Sequence, residues 1–266
     1  MTLAHHPVDG AAQAVSRSPR SGAAPVPVGV PRVRKAARSA EELGSIARRG
    51  ALELADATAI EILRWAGEQF GTRLAVTASM QDTVLAHLAA RAVPGIDVLF
   101  LDTGYHFVET IGTADAVEAV YDVTLQRVLP AQTVAEQDAE LGKDLFARDP
   151  DLCCSLRKVA PLNRALRDFD AWATGVRRVE APTRANTPVV QFDVKRGKVR
   201  LAPLAAWTDD DVDRYISEHG VLVNPLLSDE YPSIGCEPCT HRVLPGQNAR
   251  AGRWAGSTKT ECGINT

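Results

Sequence analysis

The side chains best suited to chemistry in this sequence are its five cysteines. Cys153 and Cys154 are adjacent, two residues separate Cys236 from Cys239, and Cys262 lies alone near the carboxyl terminus. No apolar export signal precedes them, so a disulfide framework is not expected. The two pairs are predicted to be metal ligands. Cys262 is predicted to be a free thiol, either a reactive nucleophile or an incidental surface group.

Two kinds of metal site fit four thiolates, a structural zinc ion and an iron–sulfur cluster. Cys-x-x-Cys is a metal-binding spacing, and the adjacent pair supplies the remaining ligands. The side chains of adjacent residues diverge by roughly 100° on a helix, which suits a single tetrahedral ion poorly. The spacing therefore favours a cluster and leaves zinc as the alternative.

A nucleotide pocket is predicted where two apolar runs end. The first run leads through VTASMQDTVLAHL directly into a helix, where backbone N–H groups, Ser79 and Thr83 would face an anion. The second ends at Asp102, Thr103 and Gly104. An ordinary capped turn is the alternative for the first segment, because it lacks the glycines and lysine of a phosphate-binding loop.

Many of the cations lie near the cysteines in sequence. If they converge on one pocket, they would bind a polyanion and favour the thiolate of Cys262, and otherwise they are solvated surface charges. The set comprises Arg157, Lys158, Arg177, Arg178, Arg184, Arg250, Arg253 and Lys259.

The pattern between these residues predicts an α/β fold with a doubly wound, mostly parallel sheet. Apolar, β-branched runs alternate with segments of helical periodicity from Leu74 to about residue 177. A first helix is expected from Asp56 to Gly71, a hairpin around Arg196 and Gly197, and a late helix from Thr208 to Gly220. Ligands of such sheets bind beyond the carboxyl ends of the strands.

Composition divides the 266 residues into three parts. Residues 1–42 are rich in Ala, Pro, Arg and Ser and are predicted to be a disordered extension, residues 43–240 the α/β domain, and residues 241–266 a tail. The formal net charge of −3 and the lack of a long apolar run argue against nucleic-acid and membrane partners. We expect a cytoplasmic protein, with an organelle transit peptide as the alternative.

Nine motifs from the second strand onward, taken together, are similar to those of one enzyme family. They are LDTGYHFVET, CCSLRK, TGVRR, APTRA, AAWTDDDV, NPLL, YPSIGCEPCT, RAGRW and KTECGI. From about Leu74 to its end, the chain resembles the assimilatory, thioredoxin-dependent adenylyl-sulfate (APS) reductases, the branch that carries an iron–sulfur cluster. The resemblance implies an adenine nucleotide alpha hydrolase-like fold with a C-terminal cluster-binding segment and a mobile tail.

The resemblance also assigns roles to individual residues. It implies that Cys262 is the nucleophile, that Lys158 lies between cluster and sulfate, and that Arg250 and Arg253 hold the phosphosulfate. The implied ligands of a [4Fe-4S] cluster are Cys153, Cys154, Cys236 and Cys239. The implied substrate-binding residues are Thr77, Ser79, Leu101, Thr103, Gly175, Arg184 and Asn265.

The implied reaction converts APS to sulfite and AMP, in assimilatory sulfate reduction toward cysteine. Cys262 attacks the sulfate sulfur, and thioredoxin, expected as a separate protein, resolves the S-sulfocysteine intermediate. Two positions depart from the family pattern: Asn265 replaces a histidine, and Glu230 stands where glycine is common. The rivals are a reductase of the 3′-phosphorylated nucleotide (PAPS), an ATP-dependent thiolation enzyme on the same fold, and a metal-bearing nucleic-acid-binding module. A homo-oligomer is compatible with the sequence.

Overall fold

The computed structural model describes residues 36–265, so most of the predicted extension lies outside the described residues. Within them, the strands are β1 (Leu74–Ala78), β2 (Ile96–Leu101), β3 (Val123–Val128), β4 (Ala171–Ala173), β5 (Val190–Asp193) and β6 (Lys198–Leu201). The helices are α1 (Ala40–Glu53), α2 (Ala59–Phe70), α3 (Val84–Ala92), α4 (Val108–Val120), α5 (Val134–Leu141), α6 (Leu145–Arg148), α7 (Pro150–Cys154), α8 (Ala160–Ala165) and α9 (Asp209–His219). None of these helices is both long and apolar enough to cross a bilayer.

The strands form one sheet in the order β3-β2-β1-β4-β6-β5. All neighbours are parallel except β5, which runs antiparallel to β6 and closes the predicted hairpin at the edge. The chain moves outward from β1 to β3 and then returns to the other side of β1 with β4. The carboxyl ends of β1 and β4 therefore meet at a topological switch point, where such sheets bind ligands.

Side chains alternate between two apolar clusters, one on each face of the sheet. On β1, Val76 belongs to the larger cluster and Ala75 to the smaller, and on β4 Trp172 belongs to the smaller. Because successive strand residues point to opposite faces, this alternation shows that both faces are covered. The prediction of a doubly wound, mostly parallel sheet is confirmed.

Local capping signals explain most helix boundaries. Thr208 accepts a hydrogen bond from the Asp211 amide at the start of α9, and Gly220 ends that helix in a left-handed conformation, as predicted. Gly71 ends α2 as predicted, but the predicted start at Asp56 is wrong. Thr58 is the N-cap, because it forms the reciprocal capping box with Glu61 three residues later.

The folded part begins earlier than the boundary predicted at residue 42. Ser39 caps α1, and the preceding Arg38 reaches the buried Asp170 at 3.3 Å and the Gln69 carbonyl at 2.6 Å. Asp170 also accepts from Arg73 Nε at 2.8 Å. Arg38 is thus held by α2 and by the segment that precedes β4, contacts that the sequence pattern around it does not indicate.

The helical stretch predicted around CCSLRKVAPLNRALR is interrupted by a π-helical segment. This segment, Ser155–Val159, continues α7 and leads into α8. Insertions of this kind often mark functional sites. Here the wide turn contains Arg157 and Lys158, both buried, directly after Cys153 and Cys154.

Candidate active site

A cavity of about 210 Å³ opens at the carboxyl ends of β1, β2 and β4, at the switch point of the sheet. Eleven residues were predicted to be catalytic or substrate-binding, and all but Thr103 line this cavity: Thr77, Ser79, Leu101, Lys158, Gly175, Arg184, Arg250, Arg253, Cys262 and Asn265.

 These ten residues come from segments far apart in the sequence, and the packing of the domain brings them together.

Thr103 is the exception: it does not line the cavity, and its role in nucleotide binding stays a prediction. Its side chain is fully buried, and its hydroxyl lies 3.2 Å from Cys236 Sγ. The turn after β2 directs it there: Asp102 accepts from the Gly104 amide at 3.0 Å, and Arg157 Nε donates to the Thr103 carbonyl at 2.5 Å. Thr103 thus faces the cysteines rather than the cavity.

The first amides at the start of α3 already have partners, as in the ordinary turn that was the alternative for this segment, although Thr83 makes no side-chain cap. The Thr83 amide and hydroxyl both donate to the Leu222 carbonyl, at 3.3 and 2.7 Å. The Val84 amide donates to Asp82 Oδ1 at 3.2 Å. Ser79 remains exposed at the cavity edge, so it is the hydroxyl of this segment that a ligand can reach.

Several cations predicted to converge do so around Trp254. This buried ring lies 4.7 Å from the Arg253 guanidinium, 5.9 Å from that of Arg250 and 5.7 Å from Lys259 Nζ. Stacking on an aromatic face holds a cation in place without neutralising its charge. The RAGRW segment therefore presents two fixed arginines at the cavity.

Arg253 has hydrogen-bonding capacity that the protein does not use. Its Nη1 donates to the Ile234 carbonyl at 3.2 Å, but its Nε is buried and has no partner among residues 36–265. The same holds for Nη1 of Arg177, which also lines the cavity. Burial lowers the pKa of Arg253 from its ordinary value. An anion in the cavity would accept hydrogen bonds from these buried N–H groups, in place of the hydrogen bonds to water that burial removes.

Lys158 lies between the cavity and the cysteines and lines both spaces. Burial alone would lower its pKa, but the nearby thiols of Cys236 and Cys262, in their ionised form, raise it above the ordinary value. The side chain is therefore a buried cation. The π-helical turn places it there, because that turn follows Cys154 directly.

The four paired cysteines line one narrow recess beside the cavity, with a volume of about 10 Å³ against about 210 Å³ for the cavity itself. Cys153, Cys154 and Cys236 are buried, and Cys239 is half-buried. Burial, followed by the charges of the neighbouring cysteines, raises the pKa of Cys153 to about 12 and that of Cys239 to about 11. No three His, Cys, Asp or Glu side chains in residues 36–265 are grouped closely enough to hold one metal ion.

The C-terminal tail is docked against the domain, and Cys262 borders the cavity. On its other side, Cys262 borders an outer recess together with Ser155, Lys259 and Gly263. Ile264 packs against the smaller apolar cluster, and Thr174 Oγ1 donates to Asn265 Oδ1 at 3.2 Å. Asn265 thus stands at the cavity as predicted from its position, and the mobility of the tail stays a prediction.

Some cavity residues were not among those predicted from the sequence. Asp82 lines the cavity, and burial raises the pKa of its carboxyl group. His106 also lines it, with Nε2 2.9 Å from the Leu101 carbonyl and a buried Nδ1 without a partner among the described residues. Asp82 follows β1 and His106 follows β2. This position after a strand end is the sequence signal from which both could have been predicted as cavity residues. Glu180 is brought in by the turn after β4 and carried no such signal.

At Glu230, one of the two departures from the family pattern, the backbone has a conformation that favours glycine. Glu230 has φ of 67° and ψ of 23°, in the left-handed region. Glycine adopts this conformation without the steric penalty of a Cβ atom, roughly 1 kcal/mol. Glu230 is therefore a local strain at the surface and does not line the cavity.

Comparison with known proteins gives one consistent result. Residues 73–242 match the phosphoadenosine phosphosulfate reductase domain family. The adenosine 5′-phosphosulfate reductase of Streptomyces coelicolor is 64% identical over 86% of this chain and 97% of its own length. That of Mycolicibacterium smegmatis is 61% identical over 84% of this chain and 95% of its own length.

A solved structure has the same fold. The crystal structure of phosphoadenylyl-sulfate (PAPS) reductase from Candida auris, a phosphate complex, superimposes with a TM-score of 0.63 at 28% identity. The match covers 74% of this chain and 96% of that chain.

Proposed function

The chain belongs to the phosphoadenosine phosphosulfate reductase domain family and, within it, to the adenosine 5′-phosphosulfate reductases, and from this membership we propose that it reduces APS to sulfite and AMP. One observation supports the proposal most strongly. The thiol of Cys262 borders the same cavity as Lys158 and Arg253, at the strand ends where a nucleotide binds in this class of fold.

The cavity offers different surroundings to the two ends of APS. Thr77, Leu101 and Gly175, at the strand ends, line the part that we assign to the adenosine. Arg253 and Arg250, near Cys262, are assigned to the phosphosulfate. A guanidinium with an unpaired, buried N–H favours an oxyanion, because the anion removes the cost of burying that group.

The proposed reaction has two halves. The Cys262 thiolate attacks the sulfate sulfur, the bond from that sulfur to the bridging phosphate oxygen breaks, and AMP leaves with the electron pair. Lys158 and Arg253 offset the negative charge that develops on the leaving oxygen and the sulfonate. Cys262 then carries a sulfonate group as S-sulfocysteine.

The second half needs two electrons from a dithiol, which we assign to thioredoxin. One thiolate of the reductant attacks Cys262 Sγ and displaces sulfite, which leaves a mixed disulfide. The second thiol of the reductant breaks that disulfide and releases Cys262 as a thiol. The outer recess beside Cys262 shows that this sulfur borders a second space outside the substrate cavity.

We assign a [4Fe-4S] cluster to the recess lined by Cys153, Cys154, Cys236 and Cys239. The donor set fits, since four cysteine thiolates are the usual ligands of such a cluster. The side chains of the adjacent pair, Cys153 and Cys154, diverge and suit a single tetrahedral zinc ion poorly, whereas a cluster binds each thiolate at a separate iron atom. When bound, the cluster would supply charge and redox capacity beside the substrate site. Lys158 would separate it from the cavity.

A PAPS reductase is the second candidate, because the matched structure from Candida auris is that of a PAPS reductase. The paired cysteines and the names of the more similar relatives favour APS. A reducing compartment suits five free cysteines, so we place the enzyme in the cytoplasm, in assimilatory sulfate reduction toward cysteine.

The reaction is tested with protein purified without oxygen. We expect sulfite from APS to form faster than from PAPS, and thioredoxin to be required for turnover. Without reductant, one sulfonate should appear on Cys262, located by mass spectrometry, with release of one AMP. A label on another cysteine, or turnover without any covalent species, would contradict the mechanism, and a preference for PAPS would favour the second candidate.

Two cysteine variants separate the cluster from the chemistry. Cys262→Ser should retain visible absorbance, iron and acid-labile sulfide but form no sulfite. Cys239→Ser should lose iron and sulfide, because it removes one of the four ligands. Stoichiometric zinc without visible absorbance in the wild-type protein would refute the cluster assignment.

A further inference from the structure

The carboxylate of Glu261, the residue before Cys262, is held by a fork of two hydrogen bonds. Arg184 Nε donates to Glu261 Oε1 and Arg184 Nη2 to Oε2, both at 2.7 Å. Thr183 Oγ1 donates to Oε1 at 3.1 Å, and Arg250 Nη2 lies 3.5 Å from Oε2. We call these contacts the Glu261 clamp. Its charged side chains are largely buried, so the bonds are little screened by water.

A second set of contacts holds the tail just beyond Cys262. Arg196 Nη2 donates to the Ile264 carbonyl at 3.0 Å, and Arg200 Nη1 donates to the Asn265 carbonyl at 2.6 Å. Gly263, with φ of 78°, makes the bend between the two sets. Cys262 thus lies between two sets of contacts with the domain, the Glu261 clamp before it and the contacts of Ile264 and Asn265 after it.

The geometry points to a positioning role for Glu261: we infer that the clamp fixes Cys262 against the cavity for the attack on substrate. The inference rests on the proposed function of Cys262. It also gives Arg184 a role on the tail, because the nitrogens of its guanidinium are all engaged by carboxylates. Glu261 takes two of them, and Glu180 accepts from Nη1 at 2.5 Å.

The clamp is the releasable one of the two sets of contacts. Its strength comes from charge on side chains, whereas the second set uses backbone carbonyls and the apolar packing of Ile264. Removing the charge on Glu261 should therefore let Cys262 leave the cavity without unfolding the domain. The predicted result is slower attack on substrate together with easier access of outside reagents to the thiol.

The test uses the cluster-loaded protein with Glu261→Gln, Arg184→Gln and the double variant. Glu218→Gln, which removes an exposed carboxylate on α9, is the matched control. Three quantities are measured: the rate of Cys262 sulfonation by APS in a single turnover, the affinity for AMP, and the rate at which a bulky maleimide labels Cys262, followed by peptide mass spectrometry.

We expect Glu261→Gln to slow sulfonation roughly tenfold and to speed labelling by about the same factor, the result when a tail that is about nine-tenths closed becomes about nine-tenths open. AMP should bind at least as tightly as to wild type, because no cavity cation is removed. The double variant should be slowed no more than about twofold beyond Arg184→Gln, since the contact with Glu261 is already broken in that single variant. The control should match wild type.

Wild-type rates of sulfonation or labelling in Glu261→Gln would overturn the inference, as would additive losses in the double variant. Equal loss of AMP affinity and sulfonation rate would also overturn it, because that pattern means a damaged cavity. If the wild-type protein forms no sulfonate at all, the proposed function fails, while the labelling rates still decide whether the clamp docks the tail.

Discussion

Replacing Gly235 with alanine tests whether Arg253 must keep its place in the cavity. A Cβ atom at Gly235 would lie 2.2 Å from Arg253 Nη2 and 2.5 Å from its Cζ. Ordinary contacts are about 3.5 Å or longer, so the guanidinium must move by roughly 1 Å. The clashing atoms are the end of a side chain rather than backbone, so the domain should still fold.

The displacement is expected to reduce kcat/KM by about 10²-fold, because a shift of 1 Å in a positioning group has an effect of that size. This corresponds to about 2.7 kcal/mol of lost transition-state stabilisation. The guanidinium of Arg253 lies 4.7 Å from the Trp254 ring and donates to the Ile234 carbonyl, so the displacement would disturb the contacts that position it. The loss should therefore be a loss of catalysis, with the melting temperature little changed.

The assay is sulfite release from APS with thioredoxin in excess, and Gly112→Ala is the matched control. A Cβ at Gly112 meets nothing within 4 Å, and the residue is exposed on α4. That variant should keep full activity and gain up to about 1 kcal/mol of stability, because alanine favours helix over glycine. Iron content must also match wild type, since Cys236 is adjacent. With that matched, a kcat/KM of Gly235→Ala within threefold of wild type would refute the reasoning.

Three further changes test other parts of the structure. Lys158→Met should slow single-turnover AMP release by about 10²-fold, since it removes a buried cation beside the reacting groups, and a rate near wild type would contradict that role. Asp170→Asn should lower the free energy of urea unfolding by about 3 kcal/mol, because it removes the carboxylate that Arg73 contacts at 2.8 Å, without changing the activity of the folded enzyme. Burial tends to raise the pKa of Glu261, but Arg184 and Arg250 lower it overall from its ordinary 4.5, so the clamp is present above that pH and is lost as pH falls below it. The ratio of labelling rates between Glu261→Gln and wild type should thus stay constant from about pH 6 to pH 9 and fall toward one in acid, and a ratio that changes near neutrality would be inconsistent with this assignment.

Helix ends show how far local patterns reach. Thr208 and Gly220 were identified from the sequence because a cap depends on residues within one turn of each other. The start of α2 was misplaced for a related reason: Asp56 and Thr58 are both capping residues, and only the reciprocal bonds with Glu61 select the second. The sequence analysis placed this boundary at Asp56, and the side-chain geometry places it at Thr58.

Ser79 and Thr103 show what a strand end leaves undecided. Both follow a parallel strand and both were predicted to line the nucleotide pocket. Ser79 is exposed at the cavity, whereas Thr103 is buried beside Cys236. A pattern of apolar residues locates the edge of the sheet, but the direction of a polar side chain beyond it depends on the turn that follows.

By itself, the sequence determined the order of the elements, the parallel α/β class, the spacing of the cysteines and the presence of a thiol near the terminus. These properties follow from periodicity, capping and spacing, which involve neighbours along the chain. Only the tertiary structure decided which cations reach the cavity, that Asp82 and Glu180 line it, and that Arg184 holds Glu261. Arg184 and Glu261 lie 77 positions apart in the sequence, and no local pattern relates such residues, because their contact exists only after the sheet and the tail have packed.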